Sequence, residues 1–276
     1  MTRANLLGAF FSLLLFSATF LIWETRFVFF NITALVVVVF GTIATAFLAF
    51  PFHQLQNACS VAFNSYRPFG VDPRSIIAVL LDMAMRSRRE GILSLQEKAS
   101  GVTLSFLQNG LDVLVDGYSE DEIYEILSTE SSFFRLRRQH SERIFRILAK
   151  TAPAFGVAGS VIGLIGMLAG IQDTSVIFQT IPMALVSTLY GLIISNLFLL
   201  PVAENIVSRT QEELLLQKII LEGILAIKKE QNPLRLEKRL CAFLSPQERQ
   251  AAQADFQDKK QRYLDLLRTK KEATQK

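Results

Sequence analysis

Two apolar segments near the middle of the chain, Ala149–Ile171 and Ile181–Pro201, constrain its fold more than anything else in it. Each is about 20 residues, enough to cross roughly 30 Å of hydrocarbon as a helix. Beyond Lys150 at the edge of the first, neither carries a charged side chain. In the first, Gly156, Gly159, Gly163, Gly166 and Gly170 recur at steps of three and four, so they stack along one helix face. Ala184, Ser187, Thr188, Gly191 and Ser195 do the same in the second. A membrane helix surrounded by lipid has no need of such a face, whereas one packed closely on another helix, or lining a hydrated path, does.

Two further apolar stretches lie at the N-terminus, Asn5–Trp23 and Val28–Pro51. The first is too long for a signal-peptide core, lacks a small-residue cleavage site and is followed at once by the second, so it is expected to remain as a helix. The chain thus predicts an all-α membrane protein with four transmembrane helices and a cytoplasmic helical bundle extending from the third and fourth. Residues 1–51 hold the first two membrane helices, 52–148 a cytoplasmic helical region, 149–201 the third and fourth, and 202–276 a cytoplasmic helix and tail. Lys and Arg crowd the stretch from Arg67 to Lys150 and the segment after Pro201, while the connections Glu24–Phe27 and Gln172–Thr180 hold only Arg26. The positive-inside rule then puts both termini and both large charged regions in the cytoplasm. The net charge of +4 fits a protein beside a membrane surface, and with no Arg/Lys stripe interleaved with aromatics no nucleic-acid partner is expected.

The charged regions read as helices. Asp72-Pro73 marks one start and Glu90-Gly91 its end. Ser119, followed three residues later by Glu122, forms a capping box, after which a helical pattern runs into the third span with little interruption. The fourth span continues past Pro201 to Asn232-Pro233, and Ser245-Pro246 reads as a turn. Signatures of catalysis fail individually. The glycines are not followed by Gly-Lys-Ser/Thr, His53 and His140 lack ligand spacing, and Ser160 has no basic partner in its segment. Cys59 and Cys241 are too few for a metal site, so neither an enzyme nor a cofactor is expected.

Pro153 stands just inside the third span and Pro201 at the end of the fourth; each removes a helix hydrogen bond and marks a kink. Such kinks are either the plain geometry of a membrane boundary or joints that relay events in the membrane. Thr188 alone would bond back to the carbonyl one turn earlier, but with Ser187 and Ser195 beside it the three hydroxyls are candidates for lining an ion or water path. A proton relay through a membrane needs an intramembrane acid, His or Lys, and Glu24, Asp173 and Glu204 all fall at span ends. A titrating group, if one is used, must come from another chain.

The run from Thr151 to Leu168, TAPAFGVAGSVIGLIGML, resembles the third-span signature of the MotA/TolQ/ExbB proton-channel family. The run from Met183 to Ala203, MALVSTLYGLIISNLFLLPVA, resembles its fourth. SRREGILSLQE from Ser87 to Glu97 and NPLRLEKRLCAFLSP from Asn232 to Pro246 are similar to the flagellar MotA branch, so the resemblance spans nearly the whole chain. It implies a stator subunit of a rotary motor driven by protons or sodium ions. Such subunits form a ring of five around two copies of a MotB-like, single-span, peptidoglycan-binding partner whose Asp carries the ion. The resemblance also implies that Pro153 and Pro201 couple ion transfer to motion, that Thr188 lines the path, and that basic and acidic residues near Arg88 and Leu95 meet a FliG-like rotor ring. The candidate rotor contacts are Arg86, Arg88, Arg89 and Glu97, although the arginines are equally read as ordinary positive-inside charge. The position after Leu95, usually acidic in this branch, is Gln96 here, and Glu97 lies about 100° further round a helix. Two other outputs stay open: an ExbB/TolQ-like energiser or gliding motor driving a periplasmic partner, and a non-conducting membrane scaffold.

Overall fold

The computed structural model describes residues 29–67, 70–95, 104–169 and 174–250, with isolated positions near the N-terminus. The first expected span, Asn5–Trp23, falls mostly outside the described residues, as do Glu97 and Gly170. The described chain is helical: α1 (Ile32–Ala49), α2 (Phe52–Ser65), α3 (Pro73–Glu90), a 3-10 turn (Ile92–Leu95), α4 (Ser105–Val115), α5 (Glu120–Ala169), α6 (Thr174–Ile193), a π-helical turn (Ile194–Leu199), α7 (Leu200–Lys228) and α8 (Pro233–Cys241). Among the described residues three helical stretches are long and apolar enough to cross a membrane: Ile32–Ala49, Glu120–Leu168 and Ala184–Lys228.

The chain groups into two compact units, Met1–Pro68 with Leu136–Arg209, and Phe69–Arg135 with Thr210–Lys276. These limits differ from boundaries drawn where apolar runs begin, because α5 and α7 continue unbroken from one unit into the other. Lateral packing changes partway along a helix whose own hydrogen bonds do not.

In the first unit α1 buries a stripe at steps of four, Ala34, Val38, Thr42 and Ala46, and packs along α6. Asn31 caps α1 by accepting from the Ala34 N–H at 3.1 Å, and its own N–H donates to the Tyr190 hydroxyl at 3.1 Å. That hydroxyl in turn donates to the carbonyl of Phe29, so one α6 side chain holds the entry of α1. The opposite side of α1, with Phe40 and Leu48, is exposed in the single chain, as suits a helix solvated by lipid or by neighbouring helices.

The second unit has a conventional apolar core. Ile77 and Leu80 of α3, Leu107 and Leu111 of α4, Ile123 and Leu127 of α5, Ile219 and Ile220 of α7, and Leu236 and Leu240 of α8 are all buried together. Each such side chain contributes about 1.5–3 kcal/mol when fully withdrawn from water. Gly223 and Gly110 let helices meet here: a Cβ at Gly223 would strike Leu80, and one at Gly110 would strike Ile224. Asp72 caps α3 by accepting from the Arg74 N–H at 2.9 Å, and Gly91, at φ +83, ends it. Ser119 and Glu122 form the expected reciprocal box, with the Ser119 N–H donating to Glu122 at 2.8 Å and the Glu122 N–H to the Ser119 hydroxyl at 3.4 Å. Ser245, expected only as a turn, caps a further helix in the same way, its N–H donating to Glu248 at 2.9 Å.

Candidate functional site

The glycine face of α5 and the hydroxyl face of α6 meet. A Cβ at Gly156 would lie 3.1 Å from the Thr188 Cα and 3.3 Å from the Gly191 Cα. One at Gly191 would lie 2.7 Å from the Ala152 carbonyl oxygen and 3.0 Å from the Pro153 Cα, so each helix has shed side chains where the other's backbone passes. At Gly159 the Cβ would strike the Ser187 hydroxyl, and at Gly163 it would touch the Ala184 methyl at 3.3 Å. Gly166 has open space around it in the single chain. One face of α5 therefore serves two environments: α6 along Gly156, Gly159 and Gly163, and something beyond the chain's own described atoms at Gly166.

Polar atoms concentrate along this seam. Ser160 Oγ lies 2.6 Å from Thr188 Oγ1, 2.7 Å from the Ala184 carbonyl and 3.1 Å from the Gly156 carbonyl. Ser160 has a single hydroxyl proton. Donated to the nearer carbonyl, Ala184, it leaves Ser160 to accept from Thr188, and the Thr188 oxygen then presents lone pairs rather than a proton. Ser187, only 1% exposed, has no hydrogen-bond partner for its hydroxyl among the described residues. An unpaired buried hydroxyl costs about 1–3 kcal/mol, which a water, an ion or a neighbouring chain would offset. In the sequence Ser160 reads only as a serine without a catalytic base; its position four residues after Gly156, on the glycine face, is the signal that it belongs here.

Ser195, expected beside Thr188, lies about two turns further along, at the π-helical turn, where its hydroxyl donates to the Ala149 carbonyl at 2.6 Å. Pro153 sits within the continuous α5, and Pro201 is the second residue of α7, directly after the π turn. A proline ring crowds the carbonyl four residues back. The wider turn at Ile194–Leu199, in which the Leu200 N–H bonds the Ser195 carbonyl, is the local form of helix that admits it.

Nearby, Arg146 joins α5 to α7, pairing with Glu142 on its own helix and with Glu204 at 3.0 Å. The arginines expected at a rotor contact end α3. Arg88 and Arg89 are exposed in its last turn, where positive charge complements the helix dipole, and Arg86 pairs with Glu90 at 2.8 Å. Leu95 is fully buried in the second unit's core.

Residues 98–218 match the MotA/TolQ/ExbB proton channel family. The chain is 31% identical to the chemotaxis protein PomA of Vibrio alginolyticus over 79% of its own length and 85% of that protein's. It is also 31% identical to motility protein A of Treponema phagedenis, over 83% of its length and 88% of the relative's. Its fold superposes on a chain of the flagellar MotAB stator complex from Bacillus subtilis with a TM-score of 0.83 and 27% identity, covering 91% of this chain and 98% of that one. Glycine-packed apolar helices, a buried hydroxyl seam and these relatives agree: the chain belongs to the MotA/TolQ/ExbB proton channel family, within its MotA branch.

Proposed function

We infer that the chain is the ring-forming subunit of a flagellar stator in the bacterial inner membrane, and that ion flux along the seam between α5 and α6 drives its motion. One observation carries this reading. Thr188 and Ser187 place hydroxyl oxygens, one holding its proton toward Ser160 and one unpartnered, inside an apolar helix pair that supplies no acid of its own. Such oxygens stabilise a passing proton or sodium ion by direct or water-mediated contact and leave the carrying carboxylate to a partner.

The partner is a MotB-like single-span chain, present as two copies within a ring of five of these subunits. Four spans place both termini in the cytoplasm, the first being Asn5–Trp23. Pro153 and Pro201 couple ion transfer to helix motion. Arg86, Arg88, Arg89 and Glu97 meet the rotor by charge complementarity, with the helices of the second unit on the cytoplasmic side. Co-purification with the single-span protein, followed by counting subunits by native mass or electron microscopy, tests the assembly. A ring of five around two supports the reading, and a stoichiometry without a ring of this chain overturns it.

A further inference from the structure

A proline in a helix leaves an acceptor as well as lacking a donor. In α5 the N–H missing at Pro153 is the one that would bond the carbonyl four residues back, that of Ala149. Ala149 is buried, and a buried carbonyl without a donor is costly. The Ser195 hydroxyl, itself on a residue only 6% exposed, donates to that carbonyl at 2.6 Å from the opposite helix. Two features bring it there. Gly191, one turn before Ser195, has no side chain, and the backbones therefore close up where its Cβ would meet Ala152 and Pro153. Ser195 also stands near the start of the π turn that precedes Pro201.

We propose that Ser195 is a positioning residue that replaces the hydrogen bond Pro153 cannot make, and that this single bond ties the proline site of α5 to the π turn of α6 so that the two coupling elements move together. The hydroxyl is thereby assigned to the helix joint, not to the ion path. The functional half of the proposal rests on the stator reading above; the structural half does not.

A double-mutant cycle on the complex with the single-span partner tests it. Pro153→Ala restores an N–H that can bond Ala149, which makes the Ser195 hydroxyl redundant. Ser195→Ala should therefore lower the thermal midpoint by about 2–4 °C in the native background and leave it unchanged in the Pro153→Ala background. Ser195→Thr, which keeps the hydroxyl, should hold the native midpoint. In cells, Ser195→Ala should lose torque at normal membrane levels of the complex, and Ser195→Thr should recover it. An equal fall in midpoint in both backgrounds, or no fall in either, overturns the cap; full torque in Ser195→Ala overturns the tie between the two elements. Failure of the stator reading looks different: the midpoints still couple, but no variant, Pro153→Ala included, alters motility.

Discussion

Glycine is required at some positions of the helix seam and merely present at others. At Gly191 an added methyl would meet backbone on the facing helix, the Ala152 carbonyl at 2.7 Å, and backbone cannot swing aside as a side-chain tip can. Gly191→Ala should therefore cost about 1–3 kcal/mol, as overpacking does, read as a lower thermal midpoint of the purified protein. Gly166, with nothing near its missing Cβ, should accept alanine without that loss. Gly166→Leu should leave the protomer folded and disrupt the ring, seen by native mass; unchanged assembly would mean that Gly166 faces lipid. Thr188→Val keeps the shape and removes the oxygen that Ser160 holds, so ion flux should fall, or change its dependence on the ion, while assembly persists. Unchanged flux in vesicles carrying the complex would remove Thr188 from the path.

Helices here are defined by their ends and interruptions. Pro153→Ala should preserve the ring and partner binding yet abolish torque, because α5 regains a hydrogen bond and stiffens where it must yield; normal swimming would refute the coupling role. Acid should act on helix starts. The Asp72 carboxyl is held below the ordinary carboxylate value chiefly by its side-chain hydrogen bond with Arg74, and Glu248 below its own by the Ser245 hydroxyl. A lowered folded-state value means that the stabilisation is fully present above the ordinary value and is lost as pH falls through the lowered one. Helical signal should thus be flat from neutral pH down to about 4.5, the ordinary glutamate value, and decline below it. Asp72→Asn should lower stability at neutral pH and shrink that acid limb; an identical acid limb in the variant would show that the α3 cap does not contribute.

Taken whole, on the proposed reading the chain supplies the path of an ion conductor and leaves the carrying acid to a partner. Its apolar segments carry hydroxyls and glycines, whereas its nearest acids, Glu24, Asp173 and Glu204, stand at their ends. Glu204 is moreover paired with Arg146. The chain reconstituted alone in liposomes should show little or no ion flux, and flux should appear on adding the single-span partner. Robust flux from this chain by itself would refute the division of labour.

Local order was legible in the residues. The start at Asp72-Pro73 and the box of Ser119 and Glu122 are bonds between residues two or three apart, and spacing alone specifies them. The same spacing relates Ser245 and Glu248, where the sequence reads as a turn and the structure forms a cap. The small-residue faces of α5 and α6 were also legible, since periodicity shows which residues share a face. Periodicity does not show what that face meets, because this depends on how each helix is rotated about its axis and how far it slides along its neighbour. Only tertiary structure decided that Gly159 receives Ser187 while Gly166 stands open, and that Ser160 joins Thr188 across 28 residues. It likewise placed the hydroxyl of Ser195 on the carbonyl of Ala149, 46 residues away, rather than beside Thr188. Pro201 announces a defect in its helix, but the relief of that defect by a π turn is chosen by the packing around it.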